Sequence, residues 1–281
     1  MQRECQVDVC SDNYCPRLQR QKTPYVKKLR LASYLSLAMG GKRKRLSYNP
    51  VFEDNDYVIV DKASGVLSVA DRENKSVNLL ALLNDHFGRV LPVHRLDRDT
   101  SGLIIYARNK AAQSAMSLLF EQREIQKHYK ALVDGLPELA EGLIDVPIAP
   151  SSQSTKMLVK PNGKESQTQY RVLEELGRFT LIELKLLTGR THQIRVHMSY
   201  IGHPLAVDPI YGQRKGLFLS ELKKRYNLGK EQSEQPLLGR LSLHSSKLAF
   251  VHPQTKEEML FESELPKDMR AICNQLRKLK G

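Results

Sequence analysis

Val93-His94-Arg95-Leu96-Asp97-Arg98-Asp99-Thr100-Ser101-Gly102-Leu103-Ile104-Ile105-Tyr106 joins a charged, polar loop to a short apolar run. The run Leu103-Ile104-Ile105-Tyr106 has almost no polar alternation, which predicts a strand buried on both faces. The loop before it is therefore held by a rigid element, the usual place for catalytic groups. Upstream, Tyr57-Val58-Ile59-Val60 reads as another buried strand. Lys62-Ala63-Ser64-Gly65 turns it into a second strand at 66–69. Ser76 reads as the N-cap of an amphipathic helix whose apolar positions are Val77, Leu79, Leu80, Leu83 and Phe87, with Gly88 as its stop. Downstream, Asn109 caps a helix running to about Glu124. Strands then dominate, at 129–133, 156–160, 167–174 and 179–187. After Thr188-Gly189-Arg190, Thr191 caps a short helix, 192–200, stopped by Gly202. Strands at 241–250 and 258–261 and a basic helix at 266–280 close the chain. Several strand pairs lie close in sequence without a regular βαβ alternation. The expected class is α+β, with a mixed, mainly antiparallel central sheet flanked by helices.

At 281 residues, 41% hydrophobic and 27% charged, the chain is long enough to bury a sizeable core. No stretch approaches the roughly 18 consecutive apolar residues of a spanning helix, so a helical membrane protein is excluded. The nine-residue stretch 31–39 lies too far in for a secretory signal, and Lys42-Arg43-Lys44-Arg45 follows it closely. The expected location is the cytoplasm. Forty-four Lys and Arg against thirty-one Asp and Glu give +13. Residues 1–50 carry eleven basic and three acidic side chains, a net +8, interrupted by Pro16 and Pro24. They read as a basic, partly disordered extension before a compact domain at 51–281, in which 213–236 is a polar insertion with one helix at 219–226. Such an arm suits a polyanion as well as it suits simple solubility. Cys5, Cys10 and Cys15 are spaced too widely for a zinc knuckle, and with Cys273 they suggest no disulfide framework. A monomer is expected.

The 94–102 loop permits two chemistries. Asp97-x-Asp99 with His94, His192 and His197 offers oxygen and nitrogen ligands for a metal. The interleaved Arg95 and Arg98 oppose a divalent cation, and His192 and His197 are five apart rather than four. Alternatively, one carboxylate is kept ionised by an arginine and acts as nucleophile or base. The second cluster, Leu187-Thr188-Gly189-Arg190-Thr191-His192-Gln193-Ile194-Arg195-Val196-His197, supplies the partner, Arg195. A surface ion-pair network would explain either cluster alone, and Tyr129 alone would be an ordinary strand aromatic.

Taken together, four stretches resemble the RluA-type family of RNA pseudouridine synthases. They are His94 to Leu103, His128-Tyr129-Lys130-Ala131-Leu132-Val133, Thr188 to His197 followed by Gly202-His203-Pro204-Leu205 and Asp208, and Leu241-Ser242-Leu243-His244 with Phe250-Val251-His252-Pro253. They occur in family order over about 51–270. The resemblance implies the family's fold and the isomerisation of uridine to pseudouridine in structured ribosomal or transfer RNA, large-subunit rRNA being favoured. Asp97 becomes the catalytic aspartate, Tyr129 the ring stacked on uracil, and Arg195 the partner of Asp97. Arg95 fills the gap left by a flipped base, while His94, Ile194 and Val196 contribute to substrate binding. No cofactor and no metal are implied. Many relatives carry an N-terminal S4-type domain, and this chain is expected to belong to the members without one. The competing expectations are a catalytically silent RNA-binding factor, a metal-dependent nuclease, and nuclear targeting by 42–45.

Overall fold

The computed structural model describes residues 47–71, 77–154, 156–223 and 234–280. Residues 1–46 of the basic extension, with Cys5, Cys10 and Cys15, lie outside the described residues. So do the expected cap at Ser76 and residues 224–233 of the insertion.

β1 (Tyr48–Glu53) and β2 (Tyr57–Lys62) form an antiparallel hairpin, tightened where the Asp54 carboxylate accepts the N–H groups of Asp56 and Tyr57. β1 crosses the boundary expected at 50/51. Pro50 is compatible with pairing because β1 is an edge strand, and the register slips between Pro50 and Phe52. α1 (Leu79–Phe87) is capped by Asn78, whose side chain accepts the Ala81 N–H at 3.0 Å. Val77 therefore precedes the helix and is exposed, instead of lining its apolar face. β3 (Leu91–Pro92) leads through the polar loop into β4 (Ser101–Ala107), buried along its whole length as its composition requires. Asn109 does cap α2 (Lys110–Glu121), accepting the Ala112 N–H at 2.8 Å.

β5 (Gln126–Asp134), β6 (Glu141–Asp145), the short pair β7 (Ile148–Pro150) and β8 (Met157–Val159), β9 (Gln167–Leu176) and β10 (Phe179–Leu186) follow. After α3 (Gln193–Tyr200) and the single turn α4 (Leu219–Leu222) come β11 (Leu243–Val251), β12 (Glu258–Glu262) and α5 (Lys267–Lys280). Among the described residues ten strands share one sheet, in the order β1-β2-β4-β11-β5-β10-β9-β6, with β3 on β4 and β12 on β11. All its pairings are antiparallel except β4 with β11. The class is α+β.

Alternate residues of β4 serve opposite faces. Ile104 and Tyr106 pack with Leu79 and Leu83 of α1 and Met198 of α3, whereas Leu103 and Ile105 pack with Ala112 and Met116 of α2. α5 covers the second face farther along, burying Met269, Ile272, Cys273 and Leu276 against Leu132 and Leu181. The parallel junction of β4 and β11 is short: Ser101 faces His244 and Gly102 faces Ser245. Gly102 has φ +111°, and a Cβ there would overlap the Ser245 backbone. Glycine alone permits this close approach, which sets the start of β4 and with it the end of the polar loop.

A buried polar chain runs beneath the junction. His244 Nδ1 lies 3.0 Å from Ser101 Oγ and its Nε2 3.2 Å from Ser263 Oγ, which itself donates to Asp61. Arg240 donates to Ser101 and grips Asp268 of α5. Burial, reinforced by the Arg240 charge, pushes His244 down to about 4. An unfolded histidine titrates near 6.5, so this stabilising contribution is complete above that pH and is lost as pH falls towards 4. Denaturant midpoints should therefore drop between pH 7 and 4.5, with His244 accounting for at most about 3 kcal/mol. His244→Gln should flatten that drop; an unchanged slope would remove His244 as its source.

Candidate active site

The loop 94–100 is fastened from below by residues 62–68. Lys62, fully buried at the end of β2, donates its three ammonium hydrogens to the carbonyls of Ala63 (3.0 Å), Val66 (2.8 Å) and Arg98 (2.9 Å). Burial pushes this ammonium down to about 7, against the opposing pull of Asp99 and Asp97. Gly65 and Arg98 exchange hydrogen bonds, Ser64 donates to the Asp99 carbonyl, and Ser68 both donates to and accepts from the Leu96 backbone. Within 66–69 the hydrogen bonds go to separate partners: Val66 to Lys62, Leu67 to Leu79, and Ser68 to Leu96 and Tyr106. The strand expected there is reduced to one bridge, Leu67 with Asn78.

The second cluster is rigid for a different reason. Gln193, buried in the first turn of α3, accepts from Thr188 Oγ1 and the Arg190 N–H. Its amide donates to the Gln167 carbonyl and to Thr168 Oγ1. His192, rather than Thr191, occupies the N-cap position, with φ +55° and no side-chain capping bond. A left-handed non-glycine residue is strained, and such strain collects at functional sites. Here it aims the imidazole at Asp97, with Nε2 3.8 Å from Oδ2, while Nδ1 sits 2.9 Å from the Tyr211 hydroxyl.

Arg195 lies between two carboxylates. Its Nε and Nη2 donate to Asp208 at 2.7 and 2.8 Å, a buried two-pronged pair, and its Nη1 reaches Asp97 Oδ2 at 3.4 Å. Asp208 also accepts the N–H groups of Ile210 and Tyr211, and the Tyr211 ring backs the guanidinium 5.0 Å from its centroid. Burial works against ionised Asp208, but Arg195 outweighs it and holds the carboxyl below its ordinary range. Burial likewise opposes the Arg195 charge, and the bonds to Asp208 overcome it and raise the guanidinium above its usual value. The two carboxylates thus play unequal parts. Asp208 is saturated and fully buried; Asp97, with 21% of its side chain exposed, keeps only the longer contacts. His192 is lowered, by burial first and against the pull of Asp97, so it faces that carboxylate as a neutral ring at pH 7.

Asp97 opens into a cavity of about 470 Å³ between the two clusters. Tyr129, almost wholly buried on β5, forms part of its wall. Burial and then the Asp97 charge raise its hydroxyl, which remains protonated at neutral pH. Ile194 lines the cavity and Arg95 stands exposed at its edge. His94 lines it too, but its Nε2 accepts the Ile105 N–H at 3.0 Å and its ring packs against Phe120. Burial, aided by Lys127, pushes His94 far below its ordinary value, to about 3. Val196 does not reach the cavity. Two helical positions from Ile194 amount to about 200° of rotation, so it is buried elsewhere. His197 also turns away, bonded to Thr168 Oγ1 and the Val146 carbonyl, so it does not join His192 in the pair that the metal reading would have needed. Asp208, Tyr211, Gln193 and Lys62 are the functional neighbours that sequence patterns did not assign. Only Asp208 carried a local cue, since Asp before Pro209 is a turn signal, and that cue does not name Arg195 as its partner.

A family profile described as RNA pseudouridylate synthase matches residues 56–200. The chain belongs to that family, in its RluA-type branch. It is 38% identical over 237 residues to the ribosomal large subunit pseudouridine synthase D of Nitrosomonas europaea, covering 82% of this chain and 65% of that protein. It is 36% identical over 239 residues to the protein of the same name from Zymomonas mobilis, covering 80% and 72%. Among solved structures it resembles human RNA pseudouridylate synthase domain containing 4, with a TM-score of 0.64 and 25% identity over 82% of this chain and 93% of that one. Among the described residues no helix is long and apolar enough to cross a membrane.

Proposed function

We propose that this protein is an RNA pseudouridine synthase that isomerises a uridine in large-subunit ribosomal RNA. The observation that carries the proposal is Asp97: a partly exposed carboxylate at the wall of a nucleoside-sized cavity, 3.4 Å from an arginine that is itself locked by a second, buried carboxylate. The reaction breaks the N1–C1′ bond of uridine and joins C5 to C1′; N1 gains a proton and C5 loses one, so nothing is oxidised or hydrolysed. It calls for one charged group beside the glycosidic carbon, a ring to hold the freed base, and exclusion of water.

Asp97 supplies the charge, whether its oxygen adds to ribose C1′, adds to uracil C6 or takes a proton from the sugar. Arg195 holds that oxygen aimed, through its Nη1 at 3.4 Å. Tyr129 offers a flat surface to the uracil, and its protonated hydroxyl suits it to packing and hydrogen bonding rather than to service as an anion. A cavity of this size admits a base only after it leaves the helical stack, at about a few kcal/mol. Arg95, free at the edge, would occupy the vacated stack and offset part of that loss. The chemistry requires no cofactor or metal, and a cytoplasmic location is consistent with a ribosomal substrate. The compact domain is assigned the whole of this activity.

The test is pseudouridine mapping. Incubating the protein with a large-subunit rRNA transcript should convert one or a few discrete uridines, and chelator should leave the conversion unchanged. Absence of any pseudouridine in rRNA, or conversion abolished by chelator, would overturn the proposal.

A further inference from the structure

Lys127 has no role in the chemistry above, yet it occupies the wall of the same cavity. It lies on β5 two residues before Tyr129, so both side chains leave the same face of the strand, roughly 7 Å apart along it. Its Nζ stands 5.6 Å over the Phe120 ring, and Gly189 adjoins it: a Cβ there would lie 3.4 Å from the ammonium, in ordinary contact. Among the described residues Lys127 makes no hydrogen bond or ion pair. Burial lowers its pKa with no carboxylate acting in the other direction. An ammonium kept in a half-buried wall without a counter-charge is unfavourable by itself.

We propose that Lys127 binds a backbone phosphate adjoining the target uridine, so that β5 grips one nucleotide at two points, the base at Tyr129 and the phosphodiester at Lys127. This rests on the assignment of the cavity to uridine in RNA. The spacing along the strand is of the order that separates a nucleobase from its own phosphates. Phe120 and Gly189 fit the same role: the ring lies under the ammonium, and the glycine beside it adds no side chain of its own. Arg123, exposed, and Arg190, half-buried with its Nε on the Glu165 carbonyl, continue the positive charge along the cavity edge. Glu121 is the acidic side chain on the same edge; it forms no ion pair with Lys127 and steers the phosphate inwards by repulsion.

The experiment uses the full chain and an RNA oligonucleotide spanning a mapped target uridine, made with either a normal or an uncharged methylphosphonate linkage beside that uridine. Lys127→Met should raise KM on the normal RNA roughly tenfold or more, with a much smaller change in kcat. It should also flatten the plot of log affinity against log salt by about 0.7–0.9. Lys127→Arg should restore most of the slope. On the methylphosphonate RNA, wild type and Lys127→Met should converge. If Lys127→Met instead lowers kcat and melting temperature while the salt slope and KM stay at wild-type values, the lysine is a packing residue and the proposal is overturned. Unequal affinities that persist on the uncharged linkage overturn it as well. A wild-type protein that forms no pseudouridine in any RNA removes the parent assignment, a result plainly different from an active enzyme indifferent to Lys127.

Discussion

Asp97→Asn should abolish pseudouridine formation, with a loss of at least about 10⁴-fold in turnover, while the folded protein keeps its stability to within about 1 kcal/mol. The two halves of that expectation have separate causes. The amide has nearly the same shape as the carboxylate but neither its charge nor its basicity, so it can neither attack carbon nor accept a proton. Stability survives because Arg195 does not depend on Asp97. Its two short bonds go to Asp208, and the contact to Asp97 is the longer one, at 3.4 Å. Turnover on an rRNA transcript and thermal melting, measured side by side, check both. A variant that works within tenfold of wild type would end the assignment of Asp97 as the reacting group.

Asp208→Ala should behave in the opposite sense, losing about 3–5 kcal/mol of stability along with activity. The substitution strands a guanidinium that is 6% exposed and leaves the N–H groups of Ile210 and Tyr211 without their acceptor. Arg195 would then turn to Asp97, closing a contact that the native site keeps open. The double variant Arg195→Met with Asp208→Leu should recover much of the stability, since a buried ion pair exchanged for apolar groups of similar size is often neutral. It should recover no activity, because the guanidinium that aims Asp97 is then gone. Denaturant unfolding separates the outcomes: a single Asp208→Ala variant as stable as wild type would show that the pair is not the anchor of the site.

The recovered features of the fold were those that local physics dictates. Leu103-Ile104-Ile105-Tyr106 could be read as doubly buried because neither face tolerates a polar side chain, and Asn109 as a cap because its side chain satisfies an N–H three residues on. The same logic failed at Thr191, where the left-handed His192 takes the cap position, and at 66–69, where extended-looking residues serve as a clamp for the loop. Both failures have one origin. In each case a distant group, Asp97 for His192 and the 94–100 loop for Ser68, competes with the local preference and wins.

The order and chemistry of the motifs identified the family, and with it Asp97, Tyr129 and Arg195 as residues that belong together, since side-chain type and spacing along the chain are properties of the sequence itself. Which carboxylate the arginine holds firmly, which helix position faces the cavity, and where an ammonium stands without a counter-ion were settled by the folded chain alone. Those outcomes depend on through-space distances between segments far apart in sequence, and on how far burial strips each charge of water, quantities that come into being only when β4, β5 and α3 are packed against one another.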